Sequence, residues 1–168
     1  MCGICGIITK DPVPARNIVA EMCRALEHRG PDDHGTAEGL GWALGHRRLS
    51  VIDLSANARQ PMRNEDGTRF VTYNGEIYNF MDLRPGLERA GHRFVSSSDT
   101  EVILHLLEDE GLAGVSRLNG MFAFAFLDTR KRELLLCRDR LGIKPLYYAS
   151  VPGAFLFASE IKALLKHP

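Results

Sequence analysis

Gly120-Met121-Phe122-Ala123-Phe124-Ala125-Phe126-Leu127-Asp128 is the stretch whose reading decides the fold. Side chains alternate across an extended strand, so Phe122, Phe124 and Phe126 share one face and Met121, Ala123, Ala125 and Leu127 the other. Both faces are apolar. A strand of that kind is covered on both sides and belongs inside a layered core. The charged turn Thr129-Arg130-Lys131-Arg132 follows it, and Glu133 to Cys137 reads as the return strand of a hairpin.

Upstream of this strand, Arg69 to Tyr73 is a second extended segment that runs into Asn74-Gly75-Glu76-Ile77-Tyr78-Asn79. Asn-Gly after a strand signals a tight turn, often of a hairpin. The same pair also offers an amide N–H₂ beside a backbone that nothing shields, which is what an oxyanion hole needs. Asn79 is placed to cap the next helix, which Pro85-Gly86 divides into two short pieces. Ser98-Asp99-Thr100-Glu101 has the spacing of a capping box opening an amphipathic helix. Asp99 in the first turn is accounted for by the helix dipole alone.

Nearer the start, Ile4 to Thr9 is an apolar, β-branched strand, broken by Asp11-Pro12 and Pro14. Arg16 to Glu27 carries Ile18, Val19, Met22, Cys23 and Leu26 at helical spacing. The helix stops at the polar stretch His28-Arg29-Gly30-Pro31-Asp32-Asp33-His34-Gly35, either a solvated turn or a loop bordering a pocket. Trp42 to His46 is a short strand, and Arg47-Arg48 then enter the apolar segment Leu49-Ser50-Val51-Ile52-Asp53. A partly buried guanidinium needs an anion. That anion is either a carboxylate of the chain or a substrate carboxylate gripped by the guanidinium fork. Ser55 to Gly67 is turn-rich and reads as a surface loop. Past the hairpin, Arg138 to Pro145 is a polar loop. Leu146 to Ala149 and Phe155 to Ala158 are strands around the turn Val151-Pro152-Gly153, and Ser159 caps a helix from Glu160 to Leu165.

Removal of Met1, ordinary when the next residue is small, would leave Cys2 with its thiol and a free α-amine on one residue. Their reference pKa values lie near ~8.5 and ~8, so the amine can take the thiol proton near neutral pH. Gly3 would let a substrate come close to the sulfur. Equally, Cys2 is an arbitrary second residue, or half of the C-x-x-C formed with Cys5, a redox or zinc pattern. With 4 cysteines scattered along 168 residues there is no disulfide framework, which favours a reducing, cytoplasmic compartment. Lys plus Arg and Asp plus Glu balance at 21 each, which gives no broad surface for nucleic acid or an anionic membrane. The longest apolar run, Met121 to Leu127, is far short of the ~20 residues a membrane helix needs.

Taken in order, Met1-Cys2-Gly3-Ile4, His28-Arg29-Gly30-Pro31-Asp32, Arg48-Leu49-Ser50-Val51-Ile52-Asp53, Asn74 to Asn79, Ser98 to Glu101, Gly120 to Ala125 and Arg138 to Tyr148 resemble the glutaminase domain of class II glutamine amidotransferases. The resemblance is greatest to the domain of glutamine-hydrolysing asparagine synthetases, and it covers residues 1–168. It implies an α+β, four-layer αββα sandwich of two antiparallel sheets between helices, the N-terminal-nucleophile hydrolase fold. Cys2 is then the nucleophile and its α-amine the base. Asn74 and Gly75 hold the oxyanion, Arg48 binds the glutamine α-carboxylate, Glu76 and Asp99 bind the α-ammonium, and backbone around Leu49, Val51 and Ile52 lines the pocket. No metal or cofactor is implied in this domain. ATP and magnesium belong to a synthetase domain that would accept the ammonia, as a further domain or a partner subunit, and a homodimer is allowed for. The segment Ser96-Ser97-Ser98 departs from relatives that carry Thr or Gly ahead of the Ser-Asp pair, a change expected to be neutral.

Overall fold

The computed structural model describes residues 1–10 and 15–168. The expected breakers Asp11-Pro12 and Pro14 lie outside the described residues. The chain runs β1 (Gly3–Thr9), α1 (Ala15–Ala25), β2 (Asp33–Gly39), β3 (Trp42–Arg48), β4 (Met62–Arg63), β5 (Arg69–Ile77), α2 (Phe80–Arg89), α3 (Asp99–Glu110), β6 (Gly120–Asp128), β7 (Glu133–Arg138), β8 (Tyr147–Val151), β9 (Ala154–Ala158) and α4 (Ile161–Leu164). One sheet has the order β2-β3-β1-β9-β8 and the other β4-β5-β6-β7. Every strand pairing is antiparallel.

β6 is buried as its sequence requires. Phe122, Phe124 and Phe126 pack with Val102, Ile103 and Leu106 of α3 in an outer core that α2 completes. Ala123, Ala125 and Leu127 face the other sheet and meet Ile4, Leu44 and Phe157. A third core joins the far face of that sheet to α1 and α4 through Ile7, Val19, Met22, Leu156 and Ala163. Three cores separate four layers, helix–sheet–sheet–helix. Each large side chain that is fully buried, such as Phe124 or Phe157, contributes about 1.5–3 kcal/mol by leaving water.

Several local expectations give way to tertiary structure. Asn74-Gly75 is not a turn: β5 continues to Ile77, with Asn74 opposite Ala123 and Gly75 opposite Phe122. Glycine is required there by crowding, because a Cβ would sit 2.3 Å from the Met121 carbonyl oxygen. α2 is one helix with Pro85 inside it. Asn79 precedes it without capping it; its amide instead donates to Arg117 O (2.9 Å) and accepts from Asn119 N (2.9 Å). The Ser98 side chain accepts from Thr100 N (3.1 Å), while Glu101 reaches further back than a capping box does, to Val95 N and Ser96 N at 2.8 Å each. Ser159 does not cap α4; its hydroxyl accepts from Ile4 N (3.0 Å). The supposed surface loop from Ser55 buries Ala58, Gln60, Met62 and Asn64. β2 carries no apolar alternation, since it is an edge strand held by its backbone ladder to β3.

Candidate functional site

At one end of the sandwich the start of β1, the end of β3, the middle of β5 and the N-terminus of α3 converge on a cavity of about 180 Å³. That suits a small metabolite better than the drug-sized ligands held by pockets of roughly 300–1,000 Å³. Cys2, Arg48, Leu49, Val51, Ile52, Asn74, Gly75, Glu76 and Asp99, scattered in sequence, all line it. The loop that begins at His28 does not.

Cys2 precedes β1, the middle strand of its sheet. Its sulfur accepts from Leu49 N at 3.4 Å. Its carbonyl accepts from Arg29 Nε (2.8 Å), and Arg29 Nη1 is in turn held by Glu160 (2.9 Å). Burial pushes the thiol above its ordinary range, opposed by the Leu49 N–H and by the positive N-terminus and Arg48. A thiol so placed stays protonated at rest and needs a base to attack. Met1 is present, so the Cys2 nitrogen is an amide here, and the Met1 sulfur lies 3.6 Å from Lys144 Nζ. Gly3 does not open the approach to the sulfur. A Cβ there would come within 3.0 Å of Leu26, so its smallness seats α1. Three residues along the strand, Cys5 points to the opposite face and lies 3.5 Å from Cys23 beneath α1. The two cysteines of the C-x-x-C therefore do not meet.

Of the two arginines, Arg47 has a carboxylate partner within the chain, Glu27 at 2.9 Å. Arg48, only 7% exposed, pairs with no carboxylate of the described residues; its guanidinium donates to the carbonyls of Ser55 (3.0 Å) and Asp53. Asp99 lies across the cavity. One of its oxygens accepts from the Tyr73 hydroxyl (2.7 Å) and Ile77 N (2.9 Å), and burial raises its carboxyl against those bonds. Asn74 is 1% exposed, and its amide nitrogen has no hydrogen-bond partner among the described residues. A buried donor without an acceptor costs about 1–3 kcal/mol, a cost that a ligand oxygen in the cavity removes.

Sequence reading missed Gln60 and Tyr73. Gln60 accepts from Tyr73 N (2.7 Å) and donates to Thr100 Oγ1 (3.2 Å), forming the floor of the cavity. Gln60 sits in a turn-rich segment with no pattern of its own, and Tyr73 reads as an ordinary strand aromatic. Lys144 also lines the cavity, from a loop that looked merely polar.

The family profile described as "Glutamine amidotransferase domain" matches residues 1–168. The chain is 43% identical over 174 residues to "Asparagine synthetase [glutamine-hydrolyzing] 2" of Bacillus subtilis (strain 168), covering 100% of this chain and 23% of that protein. It is 44% identical over 167 residues to "Asparagine synthetase [glutamine-hydrolyzing] 3" of Arabidopsis thaliana, covering 98% of this chain and 28% of that protein. It thus spans about a quarter of the length of these relatives. Among solved structures, the glutamine phosphoribosylpyrophosphate amidotransferase of B. subtilis complexed with ADP and GMP superposes with a TM-score of 0.82 at 26% identity, over 97% of this chain and 43% of that one. A structure described as the allosteric regulatory enzyme of purine biosynthesis gives 0.79 at 25% identity, over 98% of this chain and 43% of that one.

Proposed function

This chain belongs to the glutamine amidotransferase domain family, and from that premise we propose that it hydrolyses L-glutamine to glutamate and ammonia and supplies the ammonia to an asparagine-synthetase-type domain or subunit. The observation that carries the reading is the cavity itself. It brings together a half-buried thiol and an amide donor that has no partner among the described residues, with the Arg48 cation and the Glu76 and Asp99 carboxylates on the same wall. A free amino acid with an amide side chain has the complementary set of groups.

In this reading Met1 is removed and the freed α-amine of Cys2 takes the thiol proton as the sulfur attacks the side-chain amide carbon. The oxyanion is held by Asn74 Nδ2 and the Gly75 N–H, where preorganised donors act most strongly. The amine returns the proton to the departing ammonia, leaving a glutamyl thioester. It then deprotonates the water that releases glutamate and restores the thiol. Arg48 holds the α-carboxylate, Glu76 and Asp99 the α-ammonium, and the exposed Val51 and Ile52 form the rim.

The test compares the processed chain, beginning at Cys2 by intact mass, with one whose Met1 is retained by a blocking N-terminal extension. The processed chain is expected to release glutamate and ammonia in equal amounts, and the extended one to be inactive. Full turnover by the extended chain would remove the amine from the mechanism. A processed chain inert toward glutamine would overturn the function.

A further inference from the structure

Asp53 lies on the cavity wall, and both oxygens of its carboxylate are engaged by protein donors. One oxygen accepts from Ser55 N (2.8 Å), the residue whose carbonyl receives Arg48 Nη1. The other accepts from Ser97 N (2.9 Å) and Ser97 Oγ (3.1 Å). The Asp53 carbonyl itself receives Arg48 Nη2. Ser97 is followed by the N-cap Ser98 and by Asp99, and the segment before it is fastened to α3 by Glu101 through Val95 N, Ser96 N and Ser96 Oγ (2.6 Å). A parallel tie runs from Asn57 Nδ2 to Val95 O at 2.9 Å. These bonds, above all those to Ser55, hold the Asp53 carboxyl well below its ordinary range, so it is ionised wherever the chain is folded and neutral.

We infer that Asp53 is a positioning residue for substrate selection: its carboxylate bridges the loop that holds Arg48 to the segment that carries Asp99, and so fixes the distance between the two ends of the amino-acid clamp. The inference rests on the assignment of Arg48 to the substrate carboxylate and Asp99 to its ammonium. A zwitterion is recognised by the spacing of its charges, and spacing is what a bridge between the two segments controls. The amide-reacting groups are placed chiefly by other elements: Asn74 lies within β5, and Cys2 directly precedes β1, its sulfur touching this loop through Leu49 N at 3.4 Å. Loosening it therefore affects recognition of the amino-acid head more than the chemistry at the amide.

The experiment uses the processed chain with Asp53→Asn, Ser97→Ala and Ser97→Thr, and measures kcat and KM for L-glutamine and for D-glutamine. Loss of the charge-assisted bonds in Asp53→Asn is expected to raise KM for L-glutamine about 10-fold or more. Its kcat should stay within about 3-fold, and preference for the L enantiomer should narrow in step. Ser97→Ala should shift KM in the same direction by less, and Ser97→Thr, which keeps the hydroxyl, should restore it. An Asp53→Asn enzyme with a lower melting temperature but unchanged KM and enantiomer preference would assign Asp53 to stability alone and overturn the inference. If Asp53→Asn does not fold, the Ser97 pair decides: equal KM for Ala and Thr overturns it. Wild type that hydrolyses glutamine while these variants match it sinks only this inference, whereas inert wild type sinks the proposed function.

Discussion

Asn74 carries the most exacting part of the proposed chemistry in one atom. The amide nitrogen is enclosed on the cavity wall, without a hydrogen-bond partner among the described residues, while its backbone is locked in register with Ala123. Asn74→Ala removes that donor without touching the nucleophile. It is expected to lower kcat by roughly 10²–10³, leaving alkylation of Cys2 by a glutamine-like electrophile measurable and the melting temperature unchanged or raised, since an unsatisfied buried donor is gone. Equal turnover by Asn74→Ala and wild type, measured per alkylatable thiol, would remove Asn74 from the oxyanion site. The residue identities of the site were legible in the sequence because they travel in motifs. The missing partner of Arg48 was legible only as a question, since a sequence says that a guanidinium needs an anion and not whether the chain supplies it. Arg47, its neighbour, answers with Glu27; Arg48 does not.

Among the described helices, α3 buries Asp99, Glu101 and His105. His105 is 2% exposed, with Nδ1 2.8 Å from Glu108 and Nε2 3.8 Å from Glu101, and its ring lies tilted against His92 with the centroids 4.4 Å apart. Burial opposes the charged imidazole, but the two carboxylates outweigh it and raise His105 to about 9. Because the folded value lies above the unfolded value of about 6.5, this contribution is fully present below about pH 6.5 and is lost as pH rises through about 9. His105→Gln should therefore cost about 1–3 kcal/mol near pH 6, with the gap to wild type closing by pH 10 in urea unfolding. A gap that does not vary with pH would mean that His105 contributes by packing alone. The helix itself was plain from its spacing, but this network was not: Glu101 reads as a capping-box residue, and its partners become visible only when the 95–96 segment folds onto it and Arg69 onto Glu108. The edge strand β2 was illegible for a different reason. Backbone pairing at a sheet edge leaves no hydrophobic period to read.

At the scale of the whole molecule, the site straddles the two sheets. Cys2 and Arg48 belong to one, Asn74 to Glu76 to the other, and the gap between them is set by Ala123 and Ala125 against Ile4, Leu44 and Phe157. Two buried hydrogen bonds cross that gap, from His46 to Tyr73 O (3.0 Å) and from Thr72 to Gly45 O (3.2 Å). Ala125→Leu should cost about 1–3 kcal/mol by overpacking and, by parting the sheets, cut kcat/KM at least about 10-fold, as misplacement of reacting groups by an ångström does. Met22→Ala beneath α1, with an expected cost of about 2–5 kcal/mol, should spare kcat/KM when both are assayed well below their melting temperatures. Equal effects per kcal/mol would deny the sheet gap any special role. The alternation of large and small residues in β6 announced this layering, but not which residues of the other sheet would meet it. One more consequence follows from the position of β1. The strand behind the nucleophile is flanked by β9, and Ile4 exchanges hydrogen bonds with Ser159 on both its N–H (3.0 Å) and its carbonyl (2.9 Å). Ile4 and Ser159 lie 155 residues apart, so the ribosome delivers Ser159 long after Cys2. Pairing so distant in sequence forms late, so a nascent chain carries Cys2 ahead of a strand that lacks one neighbour until β9 has emerged. Under the proposed function, the site is complete only after β9 has paired with β1.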